Sequence, residues 1–179
     1  MTDQLSNSDA RRLFLWLHGL SDFGSAPLRR GEVAALVERI GFVQIDSIRT
    51  VERAHHHILF SRAGAYKPAW LDHHVERERT LFENWTHDAS IIPARYFPFW
   101  KPRFESAGKK IMSGTWWRER IGDDPAKVCA QILDYVAENG PVMARELKAE
   151  NPEPPEGMDH AASAWWGWHP SKAALVYLW

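Results

Sequence analysis

A short helix that ends at a glycine and runs directly into a strand is the feature that most restricts the fold. Apolar residues recur at helical spacing in residues 31–40, at Val33, Leu36, Val37 and Ile40. Gly41 follows where a helix-ending glycine belongs. Residues 42–48, FVQIDSI, are rich in β-branched and aromatic residues and predict a strand. Helix followed by strand at this scale is typical of a winged-helix domain.

Further helices are predicted on both sides of this segment. Residues 9–18 have an apolar face, with Ser8 as the predicted N-cap and Gly19 as the end. Asp124 and Pro125 predict the start of a helix that runs to Glu138. Its apolar face is predicted to comprise Val128, Ile132, Leu133 and Val136. A turn at 139–141, a short helix at 142–150 and a last helix at 169–179 then give helix-turn-helix spacing.

The predicted fold is mainly α with small β elements, arranged as tandem winged-helix (helix-turn-helix) domains. The first domain spans residues 1–120, with a His/Arg-rich extension that contains a helical patch at 71–85 and loop prolines at Pro93, Pro98 and Pro102. The second spans 121–179 and contains a loop or linker at 151–164. Because a winged helix needs a hairpin after its third helix, we expect the second domain to be truncated at Trp179.

Composition sets the broad class. The one cysteine, Cys129, cannot form an internal disulfide, so a cytoplasmic location is expected. No segment approaches the roughly 20 apolar residues of a membrane span, and we expect a monomer without a membrane partner. The net charge is −1, yet residues 49–120 hold 13 Lys/Arg against 8 Asp/Glu, and also six of the nine histidines. This bias permits DNA binding without demanding it, and a solvated surface of mixed charge has the same pattern.

Three stretches in order resemble the YcaQ/AlkZ-like family: GFVQIDSIRTVERAHHHILFSRAGAY, LFENWTHDASIIP and WWGWHPSKAALVYLW. The first resembles the family's Gln-aliphatic-Asp or Gln-aliphatic-Gln motif ahead of an Arg-Ala-His-His segment. The resemblance implies a bacterial DNA glycosylase that excises bulky or cationic alkylated bases and unhooks interstrand crosslinks. It implies that Gln44 and Asp46 are the catalytic pair, that double-stranded DNA carrying such lesions is the partner, and that no cofactor is needed. Family members are longer, so elements that complete a DNA channel are expected beyond Trp179.

The chemistry of the motif agrees with this implication. On a strand, residues i and i+2 share a face, so Gln44 and Asp46 are expected to project together, about 6–7 Å apart, with Val43 and Ile45 packed behind them. An alkylated guanine is already cationic and leaves without a general acid, so one carboxylate can activate water and stabilise a cationic sugar. Gln44 can hold that water. In isolation, the same pattern describes a polar, solvent-facing strand surface.

The histidine-rich segment lies beside this motif. Arg53, His55, His56, Arg62 and His87 are predicted to contact DNA, although structural hydrogen bonding explains any single histidine equally well. Three adjacent histidines cannot all face one ion from a regular element, and no HExxH motif occurs, so no metal site is predicted.

Two other functions remain as alternatives. A non-catalytic tandem winged-helix DNA binder, such as a transcription regulator, has no need of an amide and an acid at residues 44 and 46. A histidine-dependent metal hydrolase would lose activity with a chelator. The sequence does not identify the lesion.

Overall fold

The computed structural model of the chain describes residues 4–21, 28–147 and 169–179. It is mainly helical with one small antiparallel sheet, as the sequence predicts. The chain divides into two compact units, Met1–Trp100 and Lys101–Trp179. The limits of the two winged-helix domains, 1–120 and 121–179, stay a prediction. No helix in the described part of the chain is long and apolar enough to cross a membrane.

Two helices open the first unit, and local sequence determines their ends. Helix α1 spans Asn7–Leu17, and the hydroxyl of Ser6 accepts the Asp9 N–H, so the predicted cap at Ser8 is wrong by two residues. Gly19 follows the helix with φ 67°, a left-handed conformation that glycine adopts without strain. A 3-10 turn at Arg30–Glu32 leads into α2, Val33–Ile40, which ends at Gly41 with φ 91°.

The sheet and the two following helices complete the first unit. Strand β1 spans Val43–Gln44, α3 Ala54–Phe60, α4 Pro68–Glu76, β2 Leu81–Trp85 and β3 Ala89–Pro93. The strand order is β1-β3-β2, and both pairings are antiparallel. The predicted strand at 42–48 is therefore shorter than expected, although the Ile45 N–H still donates to the Ala89 carbonyl at 2.8 Å.

The predicted helical patch at 71–85 is half wrong. Helix α4 ends at Glu76, Arg79 takes a left-handed φ of 54°, and Leu81–Trp85 pairs with β3 instead of continuing the helix. Phe82 and Asn84 are half-buried whereas Glu83 and Trp85 are exposed, an alternation that follows the two-residue period of a strand. Pairing with β3 thus overrides the helical spacing of this segment.

The core of the first unit lies between α2, the sheet, α3 and α4. Val33 and Val37 of α2 and Val43 of β1 are fully buried, and Ile45 packs partly buried against the same cluster. The other buried members of the cluster are Leu59, Ala63, Tyr66, Leu71, Leu81 and Ile91.

The second unit is helical in its described residues. Helix α5, Phe97–Ser113, begins four residues before Lys101 and continues through Ser113. The other helices are α6 Thr115–Ile121, α7 Pro125–Asn139 and α8 Pro170–Leu178. The predicted start of α7 is confirmed, because the Asp124 carboxylate accepts the Lys127 N–H at 3.0 Å. Ile132 is buried as predicted, whereas Leu133 is 55% exposed and does not belong to the apolar face.

Two of the prolines lie elsewhere than the sequence predicts. Pro98 and Pro102, predicted in loops, both lie in α5. Proline is tolerated in the first turn of a helix, and Pro102 forgoes one backbone hydrogen bond. The predicted helix at 142–150 extends outside the described residues, and the predicted linker at 151–164 lies wholly outside them.

His74 joins α4 to the segment before α2. Its side chain is 1% exposed, and its Nε2 lies 2.7 Å from the Arg30 carbonyl oxygen, to which it must donate because a carbonyl only accepts. Its Nδ1 bonds the Thr80 hydroxyl at 2.7 Å. The ring therefore bonds a backbone carbonyl before α2 and a side-chain hydroxyl after α4.

His74→Ala is expected to lower the free energy of unfolding by about 2–4 kcal/mol, because it opens a cavity and leaves hydrogen-bonding groups unpaired. Chemical denaturation of the full chain, followed by circular dichroism, measures the change. The matched control is His73→Ala on the same helix, whose partly exposed contact with Glu78 is worth less than about 1 kcal/mol. Equal losses in the two variants would contradict the role of His74.

Candidate active site

The two polar residues of the motif follow the buried Val43. Val43 is fully buried in the core cluster, and Ile45 is half-buried against it, as predicted. Gln44 and Asp46 are also half-buried, and β1 ends at Gln44, so Asp46 lies in the segment after the strand. Projection of the amide and the carboxylate from one face stays a prediction.

A carboxylate on the neighbouring hairpin holds the Gln44 amide. The turn at 86–88 joins β2 to β3, and Gln44 is paired in register with Ser90 at the start of β3. This places the Asp88 Oδ2 3.2 Å from the Gln44 Nε2, which donates to it. A carboxylate oxygen accepts hydrogen bonds, so the amide nitrogen must face Asp88. The amide oxygen of Gln44 is then directed to other partners.

The turn that carries Asp88 is itself held by hydrogen bonds. Ser90 is fully buried, and its hydroxyl donates to the Asp88 carbonyl at 3.0 Å and lies 2.8 Å from the Thr86 hydroxyl. The Thr86 N–H donates to the same carbonyl at 2.9 Å. Asp88 Oδ1 accepts the Ala89 N–H at 2.8 Å. The position of the carboxylate beside Gln44 is thus determined by the hairpin.

Asp46 is the second residue of a loop, residues 45–53, that leads from β1 to α3. Its Oδ1 accepts the Ile48 N–H at 2.8 Å, which closes a turn of the Asx type. Its own backbone N–H donates to the His55 Nδ1 at 3.4 Å, a long hydrogen bond. Oδ1 thus stabilises the loop, and Oδ2 is available to accept a further hydrogen bond.

His55 accepts a hydrogen bond from the backbone of Asp46. The residue is 5% exposed on α3, and because its Nδ1 accepts a hydrogen bond the ring must be neutral with the proton on Nε2. Burial, followed by the charges of His56 and Arg53, lowers the pKa of His55 from 6.5 to about 4. A neutral imidazole therefore accepts the Asp46 backbone N–H.

His56 is engaged by a buried tyrosine. Its Nδ1 lies 2.8 Å from the hydroxyl of Tyr66, which belongs to the core, and burial lowers the pKa of His56. Burial also raises the pKa of Tyr66. The Tyr66 hydroxyl thus remains protonated and can donate to His56.

The remaining predicted DNA contacts divide into exposed and enclosed positions. Arg53 is exposed at the start of α3, and His87 is exposed in the 86–88 turn, where its ring contacts Phe42 edge-on at 5.7 Å. Arg62 instead donates to the carbonyls of His18 and Ile58, both at 2.7 Å. His55 and Arg62 are thus engaged in structural hydrogen bonds, and a DNA contact by any of these residues stays a prediction.

Asp88 and Ser90 were missed in the sequence. Asp88 directly follows His87 in the stretch NWTHDAS, but nothing local shows that this stretch is a turn beside Gln44. Recognition of β2 as a strand would have supplied the signal, because a hairpin of β2 and β3 brings its turn to the end of β1. Within residues 4–21, 28–147 and 169–179, no group of three or more His, Cys, Asp or Glu side chains could hold a metal ion.

Comparison with known proteins bears on this site directly. A family model described as DNA glycosylase AlkZ-like matches residues 37–179, a span that includes every polar group around Gln44 and Asp46. No solved structure gives a significant match to the chain.

The lowered pKa of His55 predicts a pH-dependent stability. Because the folded-state pKa is about 4 and the unfolded value is 6.5, the unfolded chain binds the extra proton between these values. The free energy of unfolding should therefore fall as pH falls from 6.5 to about 4. Titration of the ring resonances by NMR gives the pKa, and denaturation at several pH values gives the slope.

His55→Gln is expected to flatten that slope, because it removes the titrating group and keeps a possible acceptor for the Asp46 N–H. The control His57→Gln changes an exposed histidine of the same helix and should leave the slope in place. A His55 resonance that titrates near 6.5 in the folded chain would contradict the assignment.

Proposed function

The chain belongs to the AlkZ-like DNA glycosylase family, and on that premise we propose that it is a monofunctional glycosylase that hydrolyses the N-glycosidic bond of alkylated bases of the N7-alkylguanine type. Double-stranded DNA with such lesions is the proposed partner. Interstrand crosslinks formed through alkylated guanines are lesions of the same type, so they belong to the proposed substrates. The observation that supports the proposal most is that Gln44 and Asp46 are each held by a separate polar group.

The proposed architecture is a tandem winged helix. The first unit has the order α2-β1-α3-α4-β2-β3 with a β1-β3-β2 sheet, which supports a winged helix whose wing is the hairpin of β2 and β3. The second domain would be built on α7 and α8, which pack on each other around Cys129, Ile132 and Ala174. In this arrangement Gln44 lies in the first strand, beside the turn of the wing that carries Asp88.

Asp46 is proposed as the catalytic residue. Its Oδ2 takes a proton from water as the water oxygen bonds to C1′ of the sugar, and the C1′–N9 bond breaks. The bonding electron pair moves into the alkylated ring and neutralises its positive charge, so the base leaves without a general acid. The products are a free base, an abasic site with a 1′-hydroxyl and a proton that Asp46 later returns to solvent. The same carboxylate faces the positive charge that develops on the sugar.

Gln44 is proposed to orient the water. Its amide nitrogen is bonded to Asp88, so its oxygen is the atom that accepts a hydrogen from the water. The second water hydrogen is then directed to Asp46. Orientation of a nucleophile before reaction removes part of the entropic barrier.

Asp46→Asn should abolish most base release while DNA binding survives, because it removes the charge and keeps the size. The single-turnover rate on a duplex with one N7-methylguanine is expected to fall by roughly 100-fold or more. In Gln44→Ala and Asp88→Ala the rate should fall by less, since Asp46 can still deprotonate a water that Gln44 does not hold. Binding to the same duplex and circular dichroism serve as controls.

An Asp46→Asn variant that releases the base at the wild-type rate would remove the carboxylate from the mechanism. The chain would then be better described as a tandem winged-helix DNA binder without catalysis.

DNA affinity should fall with salt, because lysines and arginines displace counterions from phosphates. Arg53→Gln is expected to reduce the slope of log K against log salt by about 1, which is the loss of one phosphate contact. Fluorescence anisotropy with a short duplex measures both slopes. The control Arg11→Gln changes an exposed arginine of α1, outside the family-matched residues, and should leave the slope unchanged.

A chelator should not affect base release, since no step in the proposed mechanism uses a metal. Activity that is lost to a chelator and restored by zinc would overturn this mechanism in favour of a metal hydrolase.

A further inference from the structure

The 45–53 loop exposes two large aliphatic side chains beside Asp46. Ile48 is 72% exposed and Val51 is 80% exposed. Single exposed apolar residues are ordinary on protein surfaces. Two β-branched residues on one short loop, next to a polar pair that a reaction would use, form a more specific arrangement.

The loop that carries them is held in shape. The Ile48 N–H is bonded to the Asp46 carboxylate at 2.8 Å, and a backbone bridge joins Arg49 to Arg53. Glu52 Oε1 accepts the Arg53 N–H at 3.0 Å. A preformed loop loses little conformational entropy when it binds, so its apolar tip is suited to enter a second surface.

We propose that Ile48 and Val51 form a wedge that enters the base stack of double-stranded DNA and fills the space left by the extruded nucleotide. This inference rests on the proposed function, because a glycosylase must take its target base out of the duplex. Apolar side chains such as Ile are the residues that proteins insert between base steps.

The chain geometry allows one loop to serve both roles. Ile48 is two residues from Asp46, and an extended chain of that length spans at most about 7 Å. Asp46 at C1′ of the extruded nucleotide therefore keeps Ile48 within reach of the gap. The carboxylate bond to the Ile48 N–H couples the two positions directly.

The charges on the loop favour DNA as the occupant. Arg49, which stands between the two aliphatic residues, and Arg53, two residues after Val51, are both exposed. Arg49 is paired with Glu52 at 3.2 Å, but an ion pair this exposed contributes little, so the guanidinium can move to a phosphate. Arginines next to an apolar wedge match a base stack that is bordered by phosphates.

The test compares two duplexes that differ in the cost of extrusion. One has N7-methylguanine opposite cytosine, and the other has it opposite a tetrahydrofuran abasic-site analogue, so that the lesion is unpaired and easier to extrude. In the full chain, Ile48→Ser with Val51→Ser should lower single-turnover base release about tenfold or more on the paired lesion. On the unpaired lesion the rate should stay within about threefold of wild type.

Three further variants make the result specific. Ile48→Leu with Val51→Ile keeps an apolar tip and should release the base at close to the wild-type rate. Asp46→Asn should be slow on both duplexes. Leu133→Ser changes an aliphatic residue that is 55% exposed outside the loop and should behave as wild type. Equal losses on both duplexes for the serine variant, or no loss on either, would overturn the wedge.

A binding readout separates this inference from the proposed chemistry. A duplex with 2-aminopurine next to a tetrahydrofuran site reports unstacking by a rise in fluorescence, and no bond is broken. Wild type and Asp46→Asn should both raise the signal, and the serine variant should bind by anisotropy without raising it. If wild type released no base but raised the signal through Ile48 and Val51, the proposed function would fail and the wedge would stand. A serine variant with the full signal would overturn the wedge alone.

Discussion

Burial of Val43 is the constraint on which the first unit depends. This side chain is fully buried in the cluster that contains Val33 and Val37 of α2, and β1 is anchored there over only two residues. Since successive side chains of a strand point to opposite faces, burial of Val43 directs the Gln44 side chain to the other face of β1. A shift of one residue would bring the Gln44 amide into the core in place of Val43, which costs more than one apolar contact returns. Packing therefore determines the direction of Gln44.

Polar neighbours then determine what the pair can do. A half-buried amide and carboxylate need hydrogen-bonding partners, and each has a different one: Asp88 for Gln44, and the backbone of Ile48 for Asp46. These partners orient one atom of each group, and in the proposed mechanism the other atom of each serves the reaction. The separate supports thus give the amide and the acid different roles in that proposal. The 86–88 turn and α3 thus form a second layer whose effect is positional.

Local signals predicted the elements that are determined locally. Gly41 and the Asp124–Pro125 pair mark real helix ends, because capping needs only neighbouring residues. The strand at 42–48 and the helical patch at 71–85 were wrong in extent because pairing with β3 determines both. The sequence indicated Gln44 and Asp46 through a family resemblance, and the alternation predicted which residues would pack behind them. Asp88 lies 44 residues beyond Gln44, and no local pattern could have paired them.

The neutral state of His55 has a consequence for the proposed chemistry. A protonated imidazole under the Asp46 backbone would place positive charge beside the carboxylate that faces a cationic sugar, and would offset part of its stabilising field. The burial of His55 and the nearby charges of His56 and Arg53 lower its pKa to about 4, so the ring stays neutral through the physiological range. Arg53, which binds phosphate in the proposal, thus also helps to keep the His55 ring uncharged. Burial of His55 in α3 therefore keeps the ring neutral, as a mechanism with a single carboxylate requires.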